Sequence, residues 1–514
     1  MHYGKLIYDA FVIGGGINGA AIAKHLACKG FSTALCDESD LSGDTSSHSD
    51  KLFQCGLDHL ENLDLGHVSS ALKERDILEA EVPHLMHPLD IVIPNAPEIR
   101  SSLKMKAGTL LYGWLRHSEA TPRPHTEDIK NTLYGAPLRN HTEFATLSQE
   151  HLINDSRLVI ENLLSAQLNN CQLLPQTKVI KGSRSDGMWT LTLKDSHSGD
   201  TVTVSARCLI NAAGAWAQSV LEQTLSCATR CEQAIEKHNF IAIPKFYKGN
   251  HGYTLQLPKQ QFLSILPYAE SYCLVGPITS PSSRAAHNSS VDSEIKDVLI
   301  QQINTHFRTQ FSTTDISWSF STIKPEHHDA HQPIHMLDIQ CSDGLSPVIS
   351  VFSGHLTTHR ILAEQVYECM QPYLPANNNS VTYNRLPGGD FNNESYSEFV
   401  CRLTKQYSWL PESLVIRYCA TYGARTESLL EGISDRSSLG NEILPTLFEF
   451  ELRWLIEQEW VTCAEDILWR RTRLGTTAST IHTSRLTRWF NNHYRHRPAV
   501  SKLTTSLHIN RKAC

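Results

Sequence analysis

The run LIYDAFVIGGGINGAAIAKHLACKGFSTALCD, residues 6–37, decides the fold. Residues 6–13 form an apolar, strand-like run; glycines stand at 14, 15, 16 and 19; residues 20–29 are Ala-rich with a helical pattern that Gly30 ends. A second apolar run, residues 32–36, stops at Asp37, so that strand, tight turn, helix, strand and carboxylate follow in order. In this pattern Gly14 permits the turn, Gly16 lets the backbone approach a pyrophosphate, and Gly19 lets helix and strand pack closely, with the helix N-terminus facing the phosphates. Asp37, 18 residues beyond Gly19, can accept from both hydroxyls of an adenosine ribose and would repel a 2'-phosphate. Dinucleotide binding follows. The choice between FAD and NAD does not follow from this motif.

Outward from that unit, residues 158–174 read as a helix, and 188–193, 202–204 and 208–210 as short strands ahead of Asn211-Ala-Ala-Gly-Ala-Trp216. Between about 240 and 352, the runs 240–243, 262–266, 273–275 and 348–352 read as pieces of sheet over a substrate-sized space. Helical pattern returns at 356–370, and the stretch 375–390 is rich in Asn, Pro and Gly. The expected organisation is an α/β region over 1–375, a linker over 376–390 and a mostly helical domain over 391–514. Internal repeats and low-complexity runs are absent.

A chain of 514 residues, 40% hydrophobic and 19% charged, can build a large core. Its apolar runs are far shorter than the roughly 18 residues of a membrane-spanning helix, and the N-terminus lacks a signal-peptide pattern, so a cytoplasmic location is expected. The 14 cysteines are scattered singly without a C-x-x-C pair and read as free thiols, with Cys36, Cys208 and Cys419 as small buried hydrophobes. Residues 467–514 carry ten Lys or Arg and no acidic residue, leaving the first 466 residues at −17. That basic end could dock on an anionic membrane surface or an acidic partner, each basic group contributing about 1 kcal/mol, or could be a solvated helical face. Nucleic acid is rejected as a partner, because the aromatic and basic stretch around Trp489 and Arg495 to Arg497 is one terminal helix of an acidic chain. His327, His328, Asp329, His331 and His335 form a dense group of potential ligands, but their spacing does not match a helical zinc pair and an exposed loop explains them; no metal is assigned.

The segments Val12-Ile-Gly-Gly-Gly-Ile-Asn-Gly-Ala20, Thr45-Ser-Ser47 and Lys51-Leu52 resemble the opening of the FAD-dependent glycerol-3-phosphate dehydrogenases. The likeness continues in order through Asp155-Ser-Arg157-Leu158, Asn211-Ala-Ala-Gly214, Leu356-Thr-Thr358, Leu386-Pro-Gly-Gly389, Tyr422-Gly423, Glu459-Trp460 and Leu468-Trp-Arg-Arg-Thr472. The resemblance implies a Rossmann-type FAD-binding fold with a mixed, antiparallel substrate sheet and a helical C-terminal domain. It places Gly14, Gly16, Asn18, Gly19 and Asp37 on the adenosine side of FAD, brings Ser46, Ser47, Val179 and Gly214 near it, and returns Gly354, Leu356, Thr357 and Thr358 to the flavin as a helix N-terminus. This late return is what favours FAD over NAD. The implied reaction oxidises glycerol 3-phosphate to dihydroxyacetone phosphate, with electrons passed to membrane quinone by a protein lying peripherally on the inner face of the cytoplasmic membrane. A homodimer is compatible with the sequence.

Departures from the family concentrate where substrate would bind. A His-Gly-Gly-Leu-Arg pattern is Gln54-Cys55-Gly56-Leu57-Asp58 here, and the histidine of Lys-Gly-Ser-His is Phe240 in Lys237-His238-Asn239-Phe240. The arginine before proline is Lys324, which cannot grip phosphate bidentately; the lysine of Gly-Lys-Leu-Thr-Thr is His355; the aspartate of Gly-Thr-Thr-Asp is Thr279. Lys324 and His355 are therefore the candidate catalytic residues, providing phosphate contact and charge stabilisation, and His355 could also act as base. Two other readings stand beside the dehydrogenase: a noncatalytic FAD-binding paralogue, and a flavin dehydrogenase or oxidase for a nonphosphorylated substrate.

Overall fold

A computed structural model describes residues 6–53, 65–96, 111, 113–115, 122–139, 143–231, 234–258, 261–282, 290–326, 336–341, 345–352, 354–376 and 385–494. The chain opens with β1 (Ile7–Ile13), α1 (Ile17–Cys28) and β2 (Thr33–Cys36), then β3 (Leu52–Phe53), α2 (Leu65–Glu81), β4 (Met86–Pro94), β5 (His125–Asp128), β6 (Phe144–Ile153) and α3 (Asp155–Leu168). It continues through β7 (Gln172–Leu174), β8 (Thr177–Ser185), β9 (Met188–Asp195), β10 (Thr201–Asn211), β11 (Ala234–Pro244), β12 (His251–Gln256), β13 (Phe262–Tyr268) and β14 (Tyr272–Pro281). After α4 (Ser293–His306) come β15 (Trp318–Glu326), β16 (Leu337–Gln340), β17 (Val348–Val351) and α5 (His359–Met370).

Two sheets result. The nucleotide sheet runs β16-β17-β10-β1-β2-β7, with β9 also pairing β10 and β8 pairing β9. β1 lies between β10 and β2, parallel to both, and Ala10, Phe11 and Val12 are wholly buried, as a central strand covered on both faces requires. α1 packs through Ala20, Ala23 and Ala27 against α3 and α5, the small side chains allowing close approach. The second sheet runs β15-β11-β14-β13-β12-β4-β6-β3 and is joined to the first half of the chain through Thr45, whose hydroxyl donates to the Ile323 carbonyl of β15. Its core gathers Ile241, Tyr253, Leu263, Val275 and Phe307.

The helix expected over 158–174 is in fact α3 followed by a separate strand. Asn169 and Asn170 break the run; Asn170 adopts φ +65°, a left-handed conformation that asparagine tolerates, and the chain reverses into β7. Residues 202–210 form one continuous strand, β10. The run 348–352 does not belong over the substrate space: β17 pairs parallel with β10, Leu209 opposite Val348, and is buried along its whole length inside the nucleotide sheet.

Beyond residue 385 lie α6 (Tyr396–Gln406), α7 (Glu412–Tyr422), the hairpin β18 (Glu442–Leu444) and β19 (Leu447–Phe448), α8 (Glu449–Gln458) and α9 (Thr480–His493), around a core that includes Phe399, Val415, Leu452 and Phe490. α6 and α9 start on capping boxes, from Ser395 to Glu398 and from Ser479 to His482. The turn Pro387–Gly389, expected within a linker, is packed inside: the Gly388 N–H donates to Glu161 Oε2 at 2.7 Å, and a Cβ on Gly389 would stand 1.8 Å from the Glu81 carbonyl. No helix among the described residues is long and apolar enough to cross a membrane.

Candidate active site

The turn between β1 and α1 builds an anion cradle from backbone. Gly14 sits at φ +110°, where a Cβ would come within 2.4 Å of the Ala212 carbonyl oxygen, and a Cβ on Gly19 would come within 1.9 Å of the Gly14 carbonyl oxygen. Both positions therefore need glycine for the strand, turn and helix to close. α1 opens at Gly16 with no side-chain cap, and the Ile17 N–H donates to Ser46 Oγ at 2.9 Å, which brings the Thr45-Ser-Ser47 turn over the helix N-terminus.

Asp37 ends β2. Its carboxylate accepts from the Gly15 N–H at 2.6 Å, from the Ser39 N–H at 2.8 Å and from Ser39 Oγ at 2.9 Å, and burial pushes its pKa up to about 6 against the pull of those donors. Its carbonyl accepts from the Thr177 N–H at the start of β8, two residues before the buried Val179. Gly214 lies at φ +57° with open space where a side chain would be, beyond β10. Gly354 abuts the Asn18 side chain, whose Oδ1 is buried without a hydrogen-bond partner. Gly14, Gly16, Asn18, Gly19, Ser46 and Gly354 thus meet at one helix end, with Asp37 and Val179 along the β2 edge and Ser47, Leu356, Thr357 and Thr358 on the two flanking turns. A pyrophosphate at the α1 N-terminus, where backbone N–H groups and the Ser46 hydroxyl can donate, and an adenosine ribose at Asp37 fit this cradle.

The loop carrying Thr45–Ser47 is held from outside by C-terminal arginines. Arg471 grips Asp40 bidentately at 2.9 and 3.0 Å, and Arg470 donates to the same carboxylate at 2.5 Å. Lys51, at φ +63°, donates to Asp155 at 2.5 Å, and Arg473 reaches Asp155 at 3.1 Å. Burial raises the Asp155 carboxyl, but Lys51 and Arg473 outweigh it and hold its pKa at about 2. Arg470, Arg471 and Arg473 thus face inward, so part of the basic C-terminal run is structural and not available to a surface.

On the substrate side, Thr45 Oγ1 donates to the Ile323 carbonyl at 2.7 Å and fixes β15 over the cofactor turn. Lys324 follows directly on that strand, opposite Glu236 of β11. Phe240, buried at a bulge of β11, stacks on Phe320 of β15 with ring centroids 5.0 Å apart. His355 caps the short turn Leu356–Thr358, its carbonyl accepting from the Thr358 N–H at 3.1 Å. Thr279 lies on β14 opposite His238. Two residues missing from the sequence reading join this group. His48 packs edge-on to Phe320 at 5.4 Å, and Asp50 lies near enough to Lys324 that the ammonium counteracts the rise burial imposes on its carboxyl. Neither could be placed from sequence, because what they face is supplied by a strand some 270 residues downstream.

Gln54 to Asp58 and the histidine-rich stretch 327–335 lie outside the described residues, which contain no group of ligands able to hold a metal. The expected buried cysteines Cys36, Cys208 and Cys419 are all buried.

Residues 9–357 match the family of FAD dependent oxidoreductases, and residues 380–487 match the C-terminal domain of alpha-glycerophosphate oxidase. A glycerol-3-phosphate dehydrogenase of Pseudomonas aeruginosa is 32% identical over 96% of this chain and 97% of its own length. A D-erythritol 1-phosphate dehydrogenase of Brucella abortus is 31% identical over 94% of this chain and 98% of its own. Among solved structures, the glycerol-3-phosphate dehydrogenase from Bacillus halodurans complexed with FAD superposes with a TM-score of 0.75 at 21% identity, covering 98% of this chain and 95% of that one.

Proposed function

Because the chain belongs to the FAD-dependent oxidoreductases, in the branch of the glycerol-3-phosphate dehydrogenases, we propose that it oxidises glycerol 3-phosphate to dihydroxyacetone phosphate. Bound FAD supplies the two-electron acceptor. The chain's own residues bind it and prepare the substrate: the α1 N-terminus and Ser46 take the pyrophosphate, and Asp37 takes the ribose hydroxyls.

The observation that carries this reading is the place of Lys324. It stands one residue beyond the Ile323 carbonyl that Thr45 holds at 2.7 Å, and its ammonium acts on the carboxyl of Asp50 in the same loop, which supports a cation close to the cofactor turn as counter-charge for a phosphorylated substrate. His355, at the mouth of the glycine turn that abuts Asn18, stabilises negative charge developing beside it. Electrons then pass to membrane quinone. Support for a peripheral position on the inner face of the cytoplasmic membrane comes from α9, where Ile481, Arg485 and Arg488 are exposed together on one helix.

A second reading keeps the flavin chemistry and changes the alcohol. The Phe240–Phe320 stack and the carboxylate of Asp50 beside Lys324 favour it, since both weaken a phosphate site. Anaerobic addition of glycerol 3-phosphate to the holoenzyme separates the two. Bleaching of the flavin band near ~450 nm supports the first; a flavin that stays oxidised with this substrate but bleaches with a nonphosphorylated polyol supports the second.

A further inference from the structure

Among the described residues, His48 is held through one ring nitrogen. Nδ1 lies 2.9 Å from the Asp44 carbonyl oxygen and 3.0 Å from Ser47 Oγ, and that hydroxyl itself donates to the same carbonyl at 3.1 Å. A carbonyl only accepts, so the short contact puts the proton on Nδ1 and, in the neutral ring, leaves Nε2 with a bare lone pair. Among the described residues nothing hydrogen-bonds Nε2. The ring packs edge-on to Phe320, and Phe320 and Lys324 share one face of β15, being four residues apart on a strand. Their Cα atoms are thus roughly 13 Å apart at ~3.3 Å per residue, and the Lys324 ammonium acts on the carboxyl of Asp50, two residues along from His48.

We propose that His48 is the catalytic base of this site, accepting on Nε2 the hydroxyl proton of the substrate alcohol. The inference rests on the dehydrogenase reading above. In the step, the substrate C–H bond breaks with its electron pair passing to the oxidised flavin, the O–H proton passes to Nε2, and the carbonyl forms; the imidazolium later releases its proton to water. The groups set around the ring suit this task. Lys51 and Arg470 are the neighbouring cations, Asp155 the neighbouring anion, and Asp44 supplies the carbonyl that fixes the tautomer. Burial lowers the imidazole's pKa further than the Asp44 contact raises it, so the ring is neutral and ready to accept at physiological pH. The Lys51–Asp155–Arg473 and Asp40–Arg470–Arg471 ion pairs hold the loop on both sides of the ring.

The test uses the holoenzyme and H48Q and H355Q variants, each first checked for full flavin content. Anaerobic flavin reduction by glycerol 3-phosphate should slow about 10²- to 10⁴-fold in H48Q with little change in KM. The acidic limb of the wild-type pH–rate profile should vanish in the same variant. H48Q reducing its flavin within a few-fold of wild type, or loss of the acidic limb only in H355Q, would overturn the proposal. A second readout needs no turnover: the imidazole nitrogens of ¹⁵N-histidine-labelled holoenzyme, with the His48 signal identified by its absence in H48Q. A proton on Nδ1 and a bare Nε2 at neutral pH is the expected result, and the opposite tautomer overturns the assignment. Failure of wild-type flavin to bleach with glycerol 3-phosphate would instead sink the substrate reading, and the nitrogen spectrum would still decide on His48.

Discussion

Arg157 on α3 donates to both carboxylate oxygens of Glu459, 302 residues later, and neither side chain reaches solvent. Arg425 reaches Glu459 at 2.6 Å, Arg471 donates to its backbone carbonyl, and Glu161 closes the group by contacting Arg157 at 3.3 Å and accepting from Gly388. Removing one partner leaves the others charged and buried. Glu459→Ala should therefore cost about 3–5 kcal/mol, read as a lowered unfolding midpoint in denaturant, whereas an exposed control such as Glu431→Ala should cost almost nothing.

The same network sets an acid limit. Burial raises the Glu459 carboxyl, but Arg157 and Arg425 outweigh it and hold its pKa at about 2, and Asp155 is held at about 2 by Lys51 and Arg473. Folded values below the unfolded ones mean that these carboxylates contribute stability fully above their unfolded pKa near ~4, and lose it as pH falls toward their folded values. Unfolding free energy measured from pH 6 to pH 2.5 should fall steeply below ~4. In the double variant E459Q/D155N the slope there should be shallower.

Cofactor affinity has its own pH dependence. In the proposed binding mode ribose hydroxyls would donate to the charged form of Asp37, whose free pKa burial has raised to about 6. FAD binding to apoprotein should accordingly weaken as pH drops through about 6 and level off above it. Asp37→Asn, which retains an acceptor but no charge, should remove that dependence. Titration by flavin fluorescence checks both.

The glycines of the turn are not equivalent. An added Cβ at Gly19 meets backbone at 1.9 Å, whereas at Gly16 it meets only the movable Ser46 Oγ at 3.0 Å. Gly16→Ala should fold with a near-native circular dichroism spectrum and melting curve while binding FAD on the order of tenfold more weakly, about 1.4 kcal/mol. Gly19→Ala should fail to accumulate as soluble protein.

Lys324 and Asp50 should act in opposite directions. Lys324→Ala is expected to raise KM for glycerol 3-phosphate about 10- to 100-fold with a smaller change in kcat, because a charged contact of about 1.5 to 3 kcal/mol is lost. Asp50→Asn, by removing a carboxylate that competes for the ammonium, should lower KM. Steady-state kinetics with a quinone analogue measures both.

The nucleotide-binding half was legible because its signal is local: the Gly14, Gly16, Gly19 spacing and the carboxylate at Asp37 lie within one strand, turn, helix and strand, and Gly14 and Gly19 prove to be required by specific backbone contacts. Fully apolar runs were harder to place. Residues 348–352 read as sheet correctly, but a run buried on both faces carries no alternation to say which sheet it joins. The motifs 155–158, 386–389, 459–460 and 468–472 carried the family likeness without revealing their work, which is to supply the buried ion pairs and close turns between the two domains. His48 escaped notice because its meaning depends on Phe320, and two residues on a short loop and a distant strand leave no pattern that spacing can reveal.

The strand order of the nucleotide sheet has a consequence for biosynthesis. β1 and β2 are complete by residue 36, yet the sheet needs β17, at residues 348–351, beside β10, and the loop bearing Ser46 gains its Asp40 clamp from Arg470 and Arg471 near the end of the chain. A nascent chain therefore carries the glycine turn from the outset and waits through most of translation before the turn can hold its ligand. Flavin loading becomes one of the last events in this protein's maturation, and the long interval with unpaired strand edges is when it most needs protection from aggregation.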